Sequence, residues 1–317
     1  MEHKTRSAQL LDLRQMHTRD LERLFEEEAA CWRSELSWDY HGSIDLIRRF
    51  VDSHTLGGSV AFEGNAPAGY GFYVLEEHKG LIGGLFASPR FAQSEITDSL
   101  LNEMLSTLRG SPRVNRVEAQ IMPFGRELDG TVLGNYFRLY PRQFMMLTLE
   151  TAKLKGEALS RGLRIERWSD RNFESCARLI QLAYANHVDG EINDQYRSEA
   201  GGMKFLRNIV ILPGCGQFLP EASFVVREAS GGPPVGMVLT STVAEGVGHT
   251  TQICVKPGHR GSGIGRFLME TSIQALKARH FHSLSLTVTA LNSTAVKLYE
   301  DLGFRTIKNF AAGVWQS

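Results

Sequence analysis

The chain has 317 residues, which at about 150 per domain is enough for two domains, each able to bury a core unaided. Its 35 Lys and Arg are balanced by 35 Asp and Glu, which excludes a wholly basic surface of the kind that binds polyanions. The 4 cysteines, Cys31, Cys176, Cys215 and Cys254, form no C-x-x-C pair, so neither a zinc site nor a disulfide scaffold is expected, and a reducing compartment fits.

The stretch from Met1 to Leu13 is charged and lacks an apolar h-region, and apolar runs such as Ile209-Val210-Ile211-Leu212 are too short to cross a bilayer. A soluble, cytoplasmic protein without membrane or nucleic-acid partners is therefore expected. A capped amphipathic helix begins near Thr18-Arg19-Asp20. Further on, the apolar strand Leu85-Phe86-Ala87 ends at Ser88-Pro89. A helix follows with Ile96, Leu100, Met104 and Leu108 on one face, and Val114 to Ile121 reads as a strand between Pro112 and Pro123. The segment Thr151 to Gly162, rich in Lys, Ala and Gly, reads as a linker.

The second half repeats this order. A helix opens near Ser169-Asp170-Arg171, and Asn186 to Gly216 reads as loops without a motif. Strands are predicted over Ser223 to Arg227, Val235 to Val243 and His249 to Val255. After Pro257 comes a helix on Ile264, Leu268, Ala275 and Leu276, then an alternating strand from Ser283 to Thr289. Shifting the chain on itself by 168 residues superposes Leu85–Pro89 on Ile253–Pro257. Two α+β units of one design are expected, residues 1–155 and 160–317, each a mixed, mostly antiparallel sheet flanked by helices.

The most informative stretch runs from Val255 through Pro257-Gly258-His259-Arg260-Gly261-Ser262-Gly263-Ile264-Gly265 to Arg266, a strand, a glycine-dense turn and a helix. Glycines there allow positive φ and close backbone approach, so that a row of amide N–H groups meets the positive end of a helix dipole. Such a turn suits an anion. Between Lys256 and Arg279 there are five basic residues and one acidic, an excess that favours phosphate over a plain tight turn. A Walker A loop is excluded by Arg266-Phe267 after the last glycine, and a Rossmann fingerprint by the absence of an acidic residue at the end of the next strand.

With Arg260-x-x-Gly263-x-Gly265 after Val255-x-Pro257, the segment resembles the acetyl-CoA-binding motif of the GNAT superfamily of N-acetyltransferases. Asn292-Ser293-Thr294-Ala295-Val296-Lys297-Leu298-Tyr299-Glu300-Asp301-Leu302-Gly303-Phe304 resembles a second motif of that family. The resemblance implies that acetyl-CoA is the co-substrate and that no metal is needed. It implies that the backbone of Arg260, Gly261, Ser262, Gly263, Ile264, Gly265 and Arg266 holds the pyrophosphate. Main-chain groups of Ile253, Cys254 and Val255 would pair with the pantetheine arm, Asn292 would contact the cofactor, and Tyr299 would protonate the leaving thiolate. Where many members carry a Glu on the strand before the glycine turn, this chain reads His249-Thr250-Thr251-Gln252. His249 is the first candidate for the base, acting directly or through water, and Glu245 the second, with a solvated or hydrogen-bonded histidine as the alternative. Cys254 as an acyl carrier is disfavoured, since a buried Cys acts as a small hydrophobe. Asp189 and Glu191 are noted as able to attract a cationic amine, with a solvated loop as the plainer reading.

At the same offset, Arg260 falls on Ala92, Gly263 on Glu95, Gly265 on Thr97, Asn292 on Phe124 and Tyr299 on Thr131. The first unit is thus expected to be a degenerate copy that does not bind acetyl-CoA, in a tandem arrangement similar to that of mycothiol synthases. The expected activity is transfer of an acetyl group to a primary amine of a small molecule or peptide by direct attack. A non-catalytic CoA-binding scaffold is the competing expectation, and a monomer or weak homodimer the expected assembly.

Overall fold

The computed structural model describes residues 9–91, 95–124, 134–156, 158–212 and 214–317. The chain forms two compact units, Met1–Tyr140 with Phe310–Ser317, and Pro141–Asn309.

The first unit contains β1 (Gln9–Asp12), α1 (Thr18–Leu36), α2 (His41–Asp52), β2 (Gly57–Glu63), β3 (Ala66–Glu76), β4 (Lys79–Ala87), α3 (Ile96–Gly110) and β5 (Arg116–Ile121). Its last strand is the C-terminal half of β13 (Arg305–Gln316), whose Ala311 to Gln316 pair antiparallel with β5. The sheet order is β1-β2-β3-β4-β5-β13, with β4 and β5 parallel. Leu100, Met104 and Leu108 of α3 cover one face, and Leu21, Leu24 and Phe25 of α1 with Ile44 and Ile47 of α2 cover the other. The α1 start is fixed by Asp20, whose carboxylate accepts the His17 N–H at 3.0 Å, rather than by the Thr18 hydroxyl.

In the second unit, β6 (Arg138–Thr148) comes first in the chain. It is followed by β7 (Leu163–Arg167), α4 (Phe173–Tyr184), α5 (Val188–Ile192), α6 (Glu199–Ile211), β8 (Gln217–Phe218) and β9 (Phe224–Glu228). Then come β10 (Pro234–Ala244), β11 (Val247–Val255), α7 (Ile264–Lys277), β12 (Ser283–Thr289) and α8 (Ser293–Leu302). The sheet runs β6-β12-β11-β10-β9-β7, with β8 beside β10 and only β11 and β12 parallel among these pairs. Alternation along β12 sends Leu284, Leu286 and Val288 toward α7 and α8, while Ser283, Ser285 and Thr289 face the other way. On that other face Met237, Leu239 and Cys254 pack against Leu179 and Ile180 of α4 and Leu206 and Ile209 of α6.

Each unit therefore closes its sheet with a strand supplied by the other half of the sequence: β6 precedes the linker, and residues 310–317 come after the second unit. This differs from the linear split at 155 and 160. Strand pairing at such separations leaves no local trace in composition, so the exchange is invisible to periodicity. The segment 186–216 also differs from the expectation of loops, because α5 and α6 lie in it. Ser198 caps α6 by accepting the Gly201 N–H at 3.0 Å, and Gly202 lets α6 approach α4, where an added Cβ would meet the Ala177 carbonyl at 3.0 Å.

The repeat is visible in detail. Pairing of β4 with β5 ends at Ile82↔Ala119, and pairing of β11 with β12 ends at Thr250↔Leu286. The next residue in each, Gly83 and Thr251, is the extra residue of a β-bulge, and the two lie 168 residues apart. A bulge bends and twists its strand, so in both units the parallel pair splays open from that point. Helices α3 and α7 begin at Ile96 and Ile264, again 168 apart. In β5 and β12 the offset shortens by one, since Arg116 and Ser283 hold the same register positions. Ala92 and Thr131, used in the sequence comparison of the units, lie outside the described residues.

Candidate functional site

The splay of β11 from β12 is the starting point. Beyond Thr251, β11 keeps its bonds to β10 as far as Val255↔Gly236, but its other edge no longer meets β12. The groups on that edge are taken by side chains. The Ile253 N–H donates to the Gln252 side-chain oxygen at 2.9 Å, the Ile253 carbonyl accepts the Tyr184 hydroxyl at 3.2 Å, and the Val255 carbonyl accepts the Arg260 guanidinium at 3.3 Å. A main-chain edge with only side-chain partners is a place where an extended ligand can pair as a strand would.

The glycine turn follows directly. Gly261 and Gly263 have φ of +75° and +84°, and Gly263 is the N-cap of α7 without a side-chain cap bond. A Cβ at Gly258, Gly261 or Gly263 would meet nothing within 4 Å, so the space in front of the turn is open. The first-turn amides of α7 face it without a capping side chain, which is the arrangement that receives phosphate oxygens. Ser262 stabilises the turn through its hydroxyl, which donates to the His259 carbonyl at 2.6 Å.

The charges of the turn are less available than counting implies. Arg266 pairs with Glu270 at 3.2 Å and with Asp301 at 3.8 Å, and Glu270 also accepts the Lys155 and Gly156 N–H groups at 3.1 and 3.0 Å. Arg266 thus ties the chain around α7, and its contribution at the turn is its backbone N–H. Arg260 holds the end of β11 and the Ala183 carbonyl of α4.

Helix α8 brings the second motif to the same place. Asn292 is its N-cap, with its side-chain oxygen accepting the Ala295 N–H at 3.2 Å. A Cβ at Gly265 would lie 3.7 Å from Leu298 and 3.8 Å from Val255, so turn, strand and helix converge. Tyr299 is 6% exposed and packs on Phe304 with ring centroids 5.8 Å apart. Burial pushes its phenol above the usual range and the charge of Asp189 adds to this, so the proton stays on the oxygen at neutral pH.

His249 lies elsewhere on the strand. It faces Ser285 across β11 and β12, its ring stacks on Phe144 at 5.9 Å, and it is 8% exposed. The Ser285 hydroxyl donates to the Gly248 carbonyl at 3.2 Å and hence accepts from His249 Nδ1–H at 2.8 Å. Burial pushes the imidazole down to about 3, so the ring is neutral and weakly basic. Cys254 is buried, and burial holds its thiol well above the usual range.

On 184–196 the sequence offers Asp189 as able to attract a cationic amine, with a solvated loop as the plainer reading, and assigns no part to the tyrosines around it. Tyr184 donates to the Gln252 side-chain oxygen at 2.8 Å and stacks on Tyr196 at 4.4 Å. Asp189 accepts the hydroxyl of Thr289, the last residue of β12, and lies 3.4 Å from His187 Nδ1. These residues span the splay on one face of the sheet, Tyr184 fastened to β11 and Asp189 to β12. The signal available in the sequence was slight: tyrosines and an acid in a stretch without periodicity.

Comparison with known proteins places these features. Residues 193–304 match the acetyltransferase (GNAT) family. Over 86 residues the chain is 36% identical to mycothiol acetyltransferase of Streptomyces avermitilis, covering 27% of this chain and 28% of that protein. Over 52 residues it is 44% identical to the [ribosomal protein bS18]-alanine N-acetyltransferase of Escherichia coli K12, covering 16% of this chain and 35% of that protein. The chain thus aligns with only about a third or less of the length of these relatives. Among solved structures, a GCN5-related N-acetyltransferase from Sphaerobacter thermophilus matches with a TM-score of 0.68 at 15% identity, covering 98% of this chain and 95% of that one. A tandem GNAT protein from the clavulanic acid biosynthesis pathway matches with a TM-score of 0.65 at 12% identity, covering 98% of both chains. The shared fold is that of two tandem GNAT-like units. Among the described residues there is no group of three or more metal-ligating side chains, and no helix is long and apolar enough to cross a membrane.

Proposed function

Since the chain belongs to the tandem GNAT architecture and its second unit bears that family's motifs, we propose that it is an acetyl-CoA-dependent N-acetyltransferase with its active site in the second unit. The observation that carries this reading is the convergence of the edge of β11 that β12 leaves to side chains, the open glycine turn before α7 and the helix that bears the protonated Tyr299. Acetyl-CoA supplies an acyl group already activated as a thioester. The backbone amides from Gly261 to Arg266 bind its pyrophosphate, and the edge Ile253 to Val255 orients its pantetheine arm once Tyr184 and Arg260 give up their bonds there. Asn292 holds the start of α8 so that Tyr299 faces the splay.

Released from Gln252, the Ile253 N–H donates to the oxygen that gains charge as the amine adds, an interaction stronger in the transition state than before it. The Tyr299 hydroxyl gives its proton to the departing sulfur. His249 keeps β11 and β12 in register at the start of the splay and does not serve as the base. The first unit does not bind acetyl-CoA, for Glu95 stands at the N-cap of α3 where Gly263 caps α7. The acceptor is a primary amine.

The test is thiol release from acetyl-CoA over a panel of primary amines, together with thermal shift by acetyl-CoA alone. Turnover that disappears in Gly263→Glu supports the reading. Stabilisation by acetyl-CoA without turnover on any amine would instead make the protein a CoA-binding scaffold.

A further inference from the structure

The strand before the glycine turn carries no carboxylate, and His249 is bonded and neutral, yet the amine must lose a proton before it can attack. An alkylamine with a pKa near 10 is almost wholly an ammonium at pH 7. The site therefore needs a group that both holds a cation and takes its proton. Among the described residues, the acid Asp189 is bonded to the splay through Thr289.

Asp189 reaches β12 from the segment between α4 and α5. Its carboxylate accepts the Thr289 hydroxyl, and its side chain is 17% exposed, so it is sheltered but open to a ligand. The neighbouring His187 does not neutralise it: His187 Nδ1 accepts the Asp189 backbone N–H at 3.2 Å, which places a lone pair rather than a proton on that nitrogen. His187, 3.4 Å from the carboxylate, belongs to an aromatic group in which Tyr184 stacks on Tyr196 at 4.4 Å and is set edge-on to His187 at 5.5 Å. Burial raises the phenols of Tyr184, Tyr196 and Tyr299, and the charge of Asp189 adds to each, opposed at Tyr196 by Arg142, so the carboxylate lies within electrostatic reach of all three. A carboxylate beside an aromatic group favours a compact cation.

Resting on the function proposed above, we propose that Asp189 binds the acceptor as an ammonium ion and takes its proton, so that the acceptor is a primary alkylamine that enters the site as a cation. The ammonium donates to a carboxylate oxygen of Asp189 and then transfers one proton to it. The freed nitrogen lone pair forms the N–C bond at the thioester carbonyl carbon, and the C–S bond breaks as the adduct collapses. The sulfur takes the Tyr299 proton, the second nitrogen proton restores the phenol, and Asp189 releases its own to water.

Asp189→Asn keeps an oxygen for Thr289 and removes only the charge, and Asp189→Glu restores the charge. Thermal shift is measured with n-butylammonium chloride and with the neutral isostere n-butanol at matched ionic strength, because binding to the folded state alone raises apparent stability. The expected result is saturable stabilisation of the wild type by n-butylammonium and not by n-butanol. Apparent affinity should be at least tenfold weaker in Asp189→Asn and partly recovered in Asp189→Glu, with the acetyl-CoA shift unchanged throughout. In turnover, Asp189→Asn should raise KM for alkylamines at least tenfold while KM for acetyl-CoA stays within twofold. Equal shifts by amine and alcohol, or an unaltered response of Asp189→Asn, would overturn the assignment. Loss of the acetyl-CoA shift in the wild type would instead remove the functional reading, and the ammonium result would still stand or fall on its own.

Discussion

The two units build the same splay and fill it with opposite chemistry. In the first, the bulge at Gly83 is followed three residues later by Phe86, which pairs with Tyr70, and both side chains are buried with Phe25 under α1. In the second, the bulge at Thr251 is followed three residues later by Cys254, which pairs with Met237. Large rings thus fill this position in the first unit, where the second has the smaller Cys254 and the flexible Met237, buried against α4 and α6. The helix ends differ in the same sense, with Glu95 against Gly263. The two units thus share a backbone device, the bulge, and differ in the side chains around it.

The largest expected effect concerns the strand exchange. Residues 160–317 expressed alone lack the β6 segment whose Arg142 to Thr148 pair with β12 and whose Met145 and Leu147 lie in the core. This fragment should lose cooperative thermal unfolding, whereas 141–317 should retain more of it; calorimetry of both decides. An equally cooperative 160–317 fragment would mean that β6 is dispensable to the unit.

At the glycine turn the comparison can be broken by exchanging residues. Gly263→Glu combines a positive φ, which costs a residue with a Cβ about 1–2 kcal/mol, with a carboxylate at the phosphate position. KM for acetyl-CoA should rise about a hundredfold or more, in line with the loss of ~3 kcal/mol or more of phosphate binding. Glu95→Gly in the first unit should leave all kinetic constants within twofold. Tyr299→Phe should lower kcat by roughly 10²–10⁴-fold with little change in KM for acetyl-CoA, as expected for a lost general acid.

Stability against pH should also separate the units. Glu28, buried in the first unit and bonded by Tyr70 and by Trp32 at 3.3 Å, is pushed up to about 7 by burial. The folded state then holds a proton that the unfolded state has lost, so this contribution to stability falls as pH rises from about 4.5 to about 7. His249 in the second unit is pushed down to about 3 from 6.5, so there the unfolded state takes up the proton first and stability falls as pH drops through that window. Glu28→Gln should flatten the first dependence and His249→Gln the second, read from unfolding midpoints between pH 4 and pH 8. The smallest effect is expected from Cys254→Ala, which should leave kcat/KM within about threefold, since a thiol held protonated by burial carries no acyl group.

Much of this design was legible beforehand because it is local. The repeat, the strand of Ser283 to Thr289 and the start of α7 at Ile264 follow from alternation, helical spacing and glycine, each confined to a short window. The glycine turn was readable because positive φ at Gly261 and Gly263 restricts residue choice. What escaped depends on distant partners. The exchange of β6 and residues 310–317 leaves no local sign. The pairing of Arg266 with Glu270 and Asp301 turned an apparent phosphate charge into a structural tie. His249 looked titratable at a strand start, but Ser285 and Phe144 from neighbouring strands enclose it. The α6 helix was missed because Gly201 and Gly202 interrupt its pattern, although Met203, Leu206 and Ile209 keep helical spacing.

The central claim is that one unit of the pair binds acetyl-CoA and the other does not. Isothermal titration of the full chain with acetyl-CoA tests it most directly. One site per chain is predicted, lost in Gly263→Glu and unchanged in Glu95→Gly or Phe86→Leu. Two sites per chain, or one that survives Gly263→Glu, would contradict it.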